Sequence, residues 1–199
     1  ILRLVGKSLE QKVNLPFRYR TEVWKIIQPL TDDPEPDAAY EQKYSGPNND
    51  SLSISLNTVR GKALHAVMQY AMWIFRNIKR DIKVNEGRTP QFSEMPEVLD
   101  VLTRHLDKSI DPSQMARAVY GQWLSQLVTL GPGWVKSNLP RLAPSDPGQV
   151  PLRNAFWGTY LLYGGQLYSS VTGLLKDIYR EEILKLKGKK IGEKPAISV

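Results

Sequence analysis

Apolar residues recur every three or four positions along almost the whole chain, which is the period of an amphipathic α-helix. The longest such pattern is NTVRGKALHAVMQYAMWIFRNI, in which Val59 and Ala63 begin one apolar face and Leu64 begins a second. A helix that is apolar on two faces is buried between neighbouring helices. We therefore predict a central helix over 57–82.

Similar patterns predict helices on both sides of this one. Their expected ranges are 2–14, 20–28, 93–106, 111–130, 134–142, 151–163 and 166–187, with a short helical turn over 37–44. Proline marks several ends, because the residue before a proline is pushed out of the helical region. The stretch LSISL at 52–56 alternates apolar and polar residues, but no partner strand is evident. We expect it to be an extended arm packed against helices.

About eight or nine helices without a convincing sheet predict an all-α protein. The helices come in pairs joined by short loops, so we expect paired antiparallel helices in an α-solenoid-like array or a compact helical bundle. The exception is a long connecting loop over 31–56, of a length that is typical of functional or mobile segments. We interpret 1–199 as a single helical domain, a fragment of a larger protein, with a basic flexible tail over 188–199.

Three predicted helices share an arginine that follows an apolar residue and precedes a small or aromatic one by three positions. These are Arg60, Arg117 and Arg153, and the second interval, 36 residues, is near the roughly 40-residue period of HEAT arrays. The form V-R-x-x-A resembles the second helix of a HEAT or armadillo-like pair. By that resemblance each arginine would fold over the packed helices and donate to carbonyls or carboxylates of an adjoining loop. The candidate acceptors are Asp32, Asp33, Asp50 and Asp111. Three unrelated surface arginines are the alternative.

Two residues beside Arg60 have structural interpretations of their own. Asn57 is a good N-cap for the central helix, because its side chain can accept from a free backbone N–H. Gly61 would permit the close approach of a neighbouring helix. We therefore group Asn57, Arg60 and Gly61 as a structural motif rather than a site of chemistry.

Two longer segments resemble known proteins. The strings LTDDPEPDAAYEQKYSGPNNDSLSISLNTVRGKALHAVMQYAMW and LRNAFWGTYLLYGGQLYSSVTGLLKDIY are similar to helical, repeat-like C-terminal regions of large multidomain bacterial proteins. Some of those proteins carry nucleotide-binding or other effector domains and are linked to antiphage defence. The resemblance covers most of 31–180 and implies a sensing or scaffolding module. It supplies no catalytic residue.

Candidate chemistry is sparse. There is no cysteine, which excludes disulfides, thiol nucleophiles and thiolate metal sites and is compatible with a cytoplasmic protein. The GKS at 6–8 ends like a phosphate-binding loop, but Ile1 stands where the first glycine is required. His65 and His105 belong to no catalytic or metal motif, so we expect His65 to be packed and His105 to be solvated. We predict no enzyme activity, no cofactor and no metal.

The positive charge of the chain is compatible with a second function. The net charge is +7, and much of it comes from lysines near the C-terminus. No transmembrane helix or signal peptide is expected. The preferred hypothesis is a non-catalytic helical scaffold that binds a protein partner or other domains of its parent chain. The alternative is a nucleic-acid-binding domain, for which the candidate contacts are Arg76, Lys79, Arg80 and Lys83.

Overall fold

The computed structural model describes residues 2–10, 13, 15–44, 51–82, 89–163 and 169–186. Within these ranges the chain is helical and contains no strand, which confirms the all-α prediction. The α-helices are α1 (Leu2–Ser8), α2 (Arg20–Ile27), α3 (Ala38–Tyr44), α4 (Ser51–Asn57), α5 (Val59–Ile82), α6 (Pro96–Leu106), α7 (Gln114–Gln122), α8 (Leu124–Leu130), α9 (Pro132–Leu142), α10 (Val150–Tyr163), α11 (Ser169–Leu174) and α12 (Lys176–Leu186). Short 3₁₀ turns lie at Phe17–Tyr19, Gln28–Asp32, Phe92–Glu94 and Pro147–Gln149.

Helix α5 is the centre of the fold. It contacts α1, α2, α4, α6 and α7, and both of its predicted apolar faces are buried or half-buried except at Val59, which is exposed. Trp73 of α5 also holds the N-terminal segment in place. Its Nε1 donates to the carbonyl of Leu15 at 3.1 Å, and its ring packs on Phe17. The apolar residues on two faces of α5 therefore correspond to burial between neighbouring helices, as expected.

The closest helix contact joins α7 to α10 and depends on a glycine. A Cβ built on Gly121 would lie 2.2 Å from the carbonyl oxygen of Phe156, inside the backbone of α10. Gly61 has the same role between α5 and α4, where a Cβ would lie 2.3 Å from the carbonyl oxygen of Ser55. The expected close approach at Gly61 is thus present.

The stretch LSISL is a helix, so the extended arm predicted from its alternation is wrong. Leu52 and Ile54 are buried in α4. The polar side chains bond to carbonyls of their own turn: Ser55 Oγ donates to Leu52 O at 2.6 Å and Asn57 Nδ2 donates to Ser53 O at 2.8 Å. Such local bonds satisfy the backbone of a short helix that tertiary packing holds in place.

Asn57 is not the N-cap of α5. It ends α4, and the capping role falls to Thr58, whose Oγ1 accepts from Gly61 N at 3.3 Å and also lies 3.0 Å from Ile54 O. Thr58 therefore closes α4 and opens α5 in one residue. Its hydroxyl can both donate and accept, whereas the side chain of Asn57 is occupied one turn earlier.

Other boundaries differ from the prediction. The helix expected over 111–130 is two helices, α7 and α8, which meet at Trp123, and its N-cap is Ser113. The last helix divides at Leu175, and the first ends at Ser8. The expected turn over 37–44 is α3. The tail over 188–199 lies outside the described residues, as do Asp50 and Lys83.

Replacing Gly121 by Ala tests the α7–α10 contact. The added methyl group meets backbone rather than a movable side chain, so we expect a loss of about 1–3 kcal/mol in the free energy of unfolding. Gly158→Ala is the matched control, since among the described residues no atom outside the local backbone of α10 lies within 4 Å of a Cβ at that position. Urea denaturation of both variants measures the difference. Equal stabilities for the two variants would contradict the packing described.

Candidate functional site

Arg60, in the first turn of α5, joins three parts of the chain. Its Nη1 donates to the carbonyls of Asp33 and Pro34 at 3.0 and 3.3 Å, and its Nη2 donates to the carbonyl of Pro36. Its Nε lies 3.5 Å from the carboxylate of Asp111. Carbonyls of the acidic segment and Asp111 are the kinds of acceptor that the sequence suggested. Arg60 thereby holds the connection before α3 against α5.

Asp111 is a buried carboxylate at the centre of this cluster, with 1% of its surface exposed. It accepts from His105 Nδ1 at 2.9 Å, from Ser113 Oγ at 2.5 Å and from Ser113 N at 3.1 Å. Burial alone would raise the pKa of Asp111, but the hydrogen bonds from His105 and Ser113 and the charge of Arg60 outweigh it and lower the pKa. Asp111 is therefore an ionised side chain that connects α5, α6 and the start of α7.

His105 is buried, so the prediction that it is solvated is wrong. Only 3% of its surface is exposed, and its Nδ1 carries the proton that it donates to Asp111. Periodicity could not predict this contact, because Asp111 lies beyond the end of α6. The two side chains meet because the turn after Leu106 returns the chain to the end of α6.

Two more side chains complete the N-terminus of α7. Ser113 Oγ accepts from Ala116 N at 3.2 Å, as an N-cap residue does. Glu41 of α3 accepts from Met115 N at 2.9 Å and from Gln114 N at 3.1 Å. Burial raises the pKa of Glu41, and the two backbone hydrogen bonds partly counter that rise. Sequence reasoning missed Glu41, since nothing in its neighbourhood shows which helix it reaches.

Arg117 lies inside the protein with 1% of its surface exposed. Its guanidinium donates to His105 O at 3.1 Å, Leu106 O at 2.8 Å and Arg141 O at 3.2 Å. These carbonyls belong to the C-terminal turns of α6 and α9, where backbone oxygens have no acceptor role within their own helix and the helix dipole is negative. Arg117 therefore binds two helix ends together.

Arg153 is the third arginine of the pattern and is also buried. Its Nη2 lies 2.5 Å from Glu181 Oε2 and 3.1 Å from Glu182 Oε1, which joins α10 to α12. Arg117 and Arg153 are thus not surface arginines. All three arginines connect elements that are distant in sequence, although their acceptors differ in kind.

His65 is packed, as expected, but it also links two helices. Trp123 Nε1 donates to His65 Nδ1 at 2.9 Å, and because an indole can only donate, the proton of the neutral ring must be on Nε2. Nε2 then donates to Ser55 Oγ at 2.8 Å, and Ser55 donates to Leu52 O. A base that activates a serine must accept from its hydroxyl, so this serine–histidine pair is oriented the wrong way for nucleophilic catalysis.

The predicted nucleic-acid contacts divide in the structure. Arg76 is used internally: its Nη2 donates to the carbonyl of Leu9, just beyond α1. Burial, and secondarily the charge of Arg80, lower the pKa of Arg76. Lys79 and Arg80 are exposed, and the Lys79 ammonium lies 5.6 Å from the ring centroid of Phe75.

Two elements that pack on α5 carry further exposed cations. Helix α1 lies against the middle of α5, where Gly6 packs on Gln69 and Leu9 meets Arg76, and Phe17 of the nearby 3₁₀ turn packs on Trp73. The exposed cations of α1, of this turn and of the last turns of α5, which we name the basic end, are Arg3, Lys7, Arg18, Lys79 and Arg80. Sequence reasoning missed Arg3 and Lys7, because their approach to α5 depends on where α1 docks.

The two histidines should differ in whether Nδ1 carries a proton. We expect the proton on Nε2 in His65, opposite the Trp123 donor, and on Nδ1 in His105, opposite the Asp111 acceptor. Long-range ¹H–¹⁵N spectra distinguish the tautomers, and a His65→Gln or His105→Gln variant assigns the signals. The same tautomer in both rings would contradict one of the two contacts.

The stability of the fold should fall on mild acidification because of His65. Burial lowers the pKa of His65 to about 4 from its ordinary 6.5, so the unfolded chain takes up this proton first. The contribution is complete above about pH 6.5 and is lost as the pH falls toward 4. We expect a loss on the order of 2 kcal/mol between about pH 7 and about pH 5. Urea denaturation at both values should show a smaller loss in His65→Gln; an unchanged loss would contradict this assignment.

Three wider comparisons add no candidate site. Among the described residues, no group of three or more His, Cys, Asp or Glu side chains is placed to hold a metal ion. In the same part of the chain, no helix is both long enough and apolar enough to span a membrane. No protein-family model, curated protein or solved structure matches this chain.

Proposed function

We propose that this chain is a non-catalytic interaction module that binds an anionic partner, in the first place a protein, through its basic end. The observation that supports the proposal is that α1 and the 3₁₀ turn at Phe17–Tyr19, which carry exposed cations, both pack on α5, whose last turns carry Lys79 and Arg80. Exposed cations on neighbouring elements attract an anionic partner.

The dipole of α5 accounts for only part of this arrangement. Cations near a helix C-terminus are stabilising, which suits Lys79 and Arg80. Lys7 likewise lies in the last turn of α1, whereas Arg3 lies in the first turn of that helix, where a dipole does not favour a cation.

The polar interior favours a binding role over chemistry. His65 is fixed in a tautomer that cannot activate Ser55, and His105, Asp111 and Glu41 hold helix ends in place. The buried arginines join separate helices in the same way. A scaffold whose helices are held in place by such contacts presents a preformed surface, which lowers the entropic cost of binding.

The resemblance to repeat-like regions of large bacterial proteins supplies a setting for this proposal. In such a protein the chain would act as a sensing or scaffolding module beside effector domains, including those of antiphage systems. Its anionic partner would then be another protein or another domain of the parent chain.

A nucleic acid is the second candidate partner, because the same cations would suit a phosphate backbone. Phosphate contacts release counterions, so that affinity falls steeply with salt. The candidate phosphate contacts are the exposed cations of the basic end, whereas Arg76 is buried in part and donates to the carbonyl of Leu9.

A charge-reversal pair tests the proposed surface. We expect Lys7→Glu combined with Lys79→Glu to weaken binding to immobilised heparin, a generic polyanion, by about tenfold or more. The matched control is Lys136→Glu with Arg180→Glu, which changes the net charge equally at exposed positions of α9 and α12. A third variant carries glutamine in place of the lysines at 187, 189, 190 and 194 and measures the contribution of the tail.

Surface plasmon resonance on the full chain provides the readout. Retained binding in the control and the tail variant, with loss in the Lys7/Lys79 pair, would support the basic end. Equal loss in the pair and the control would show that only net charge matters, and loss confined to the tail variant would assign the binding to the tail. Either of these two results would refute the proposal.

A further inference from the structure

We infer that the basic end binds an acidic peptide segment that carries apolar side chains among its carboxylates. This inference rests on the proposed function and specifies the chemistry of the partner. It follows from the apolar side chains that stand exposed among the cations.

Two such side chains belong to elements of the basic end, Leu4 to α1 and Tyr19 to the 3₁₀ turn, and Val13 lies between these elements in the chain. Leu4 is 72% exposed, Val13 is 56% exposed and Tyr19 is 40% exposed. Single exposed apolar residues are common on protein surfaces and carry no meaning by themselves. Here they alternate with cations: Leu4 lies between Arg3 and Lys7, and Tyr19 follows Arg18.

The exposed face of α1 shows the combination most clearly. Positions three and four apart on a helix are neighbours, so Arg3, Leu4 and Lys7 share one face. The opposite side of α1 is buried against the protein at Gly6. A partner that covers this face must place anionic groups on Arg3 and Lys7 and an apolar group on Leu4.

Glu10 limits this face at its C-terminal side. It is exposed one turn beyond Lys7 and would repel a continuous run of carboxylates. Helix α1 packs on α5, so a segment that crosses from α1 to the last turns of α5 meets Lys79 and Arg80 instead. The charge pattern therefore favours a short segment over an extended polyanion that follows the axis of α1.

A nucleic acid fits this surface less well. Single-stranded nucleic acids are bound by cations together with open aromatic faces on which bases stack. At the basic end, Tyr19 is the exposed aromatic residue among those described, and the Arg18 guanidinium lies 5.1 Å from its ring centroid. Leu4 and Val13 offer nothing to a phosphate or a ribose, whereas Leu and Val side chains of a protein segment would pack on them.

Three fluorescent probes of equal charge test the inference on the full chain. The first is a peptide of alternating Glu and Leu, the second has Ser in place of each Leu, and the third is a single-stranded oligonucleotide. We expect the Glu–Leu peptide to bind about fivefold to tenfold more tightly than the Glu–Ser peptide, because only it buries Leu4. Fluorescence anisotropy measures all three.

Two variants locate the difference. Leu4→Ser should weaken binding of the Glu–Leu peptide to the level of the Glu–Ser peptide and leave the Glu–Ser peptide unaffected. Leu162→Ser is the matched control, since Leu162 is an equally exposed leucine on α10. Because both side chains are exposed, neither change should alter folding, which circular dichroism checks.

The outcomes separate this inference from the proposed function. Equal binding of both peptides, or an unchanged preference in Leu4→Ser, overturns the inference and leaves an anion-binding basic end. Tighter binding of the oligonucleotide than of either peptide overturns it in favour of the second candidate. Dimers in sedimentation that Leu4→Ser abolishes would overturn it in favour of a second copy of this chain. No saturable binding of any probe refutes the proposed function itself.

Discussion

The constraint on which this structure depends is that every helix end must satisfy its unpaired backbone groups. An α-helix leaves several N–H groups free at its start and several carbonyls free at its end. Most helices here are short, so a large share of their backbone belongs to ends. Side chains from elsewhere in the chain meet this need: Glu41 at the start of α7, Arg117 at the ends of α6 and α9, and Arg76 beyond α1.

This use of charged residues explains why groups that suggest chemistry lie inside the protein. A buried charge is tolerated only when it is paired or fully hydrogen-bonded. Asp111 meets that condition with His105, Ser113 and Arg60, and Arg117 meets it with three carbonyls. Breaking one such contact would leave an uncompensated buried charge, so these residues stabilise the contacts between helix ends. Other cations lie at the surface instead, and those of the basic end are among them.

The sequence predicted well those features that the local pattern of residues determines. The long, regular repeat of α5 predicted its burial, Gly61 predicted a close approach, and the position of Arg60 suggested acceptors in the acidic segment and at Asp111. The errors fall where tertiary contacts decide. LSISL is too short to show its helical period, Thr58 rather than Asn57 caps α5, and His105 meets its partner only through a turn. The basic end depends on the docking of α1, which periodicity does not encode.

Arg117 also determines how far this region can be dissected. Its three acceptors come from residues 105, 106 and 141, on either side of α7 and α8. A shorter piece that ends before Arg141 would keep the buried guanidinium and lose one of its acceptors. A piece that begins after Leu106 would lose the other two. The chain from α6 to α9 therefore forms one cooperative unit, and boundaries for shorter expressed fragments belong outside it.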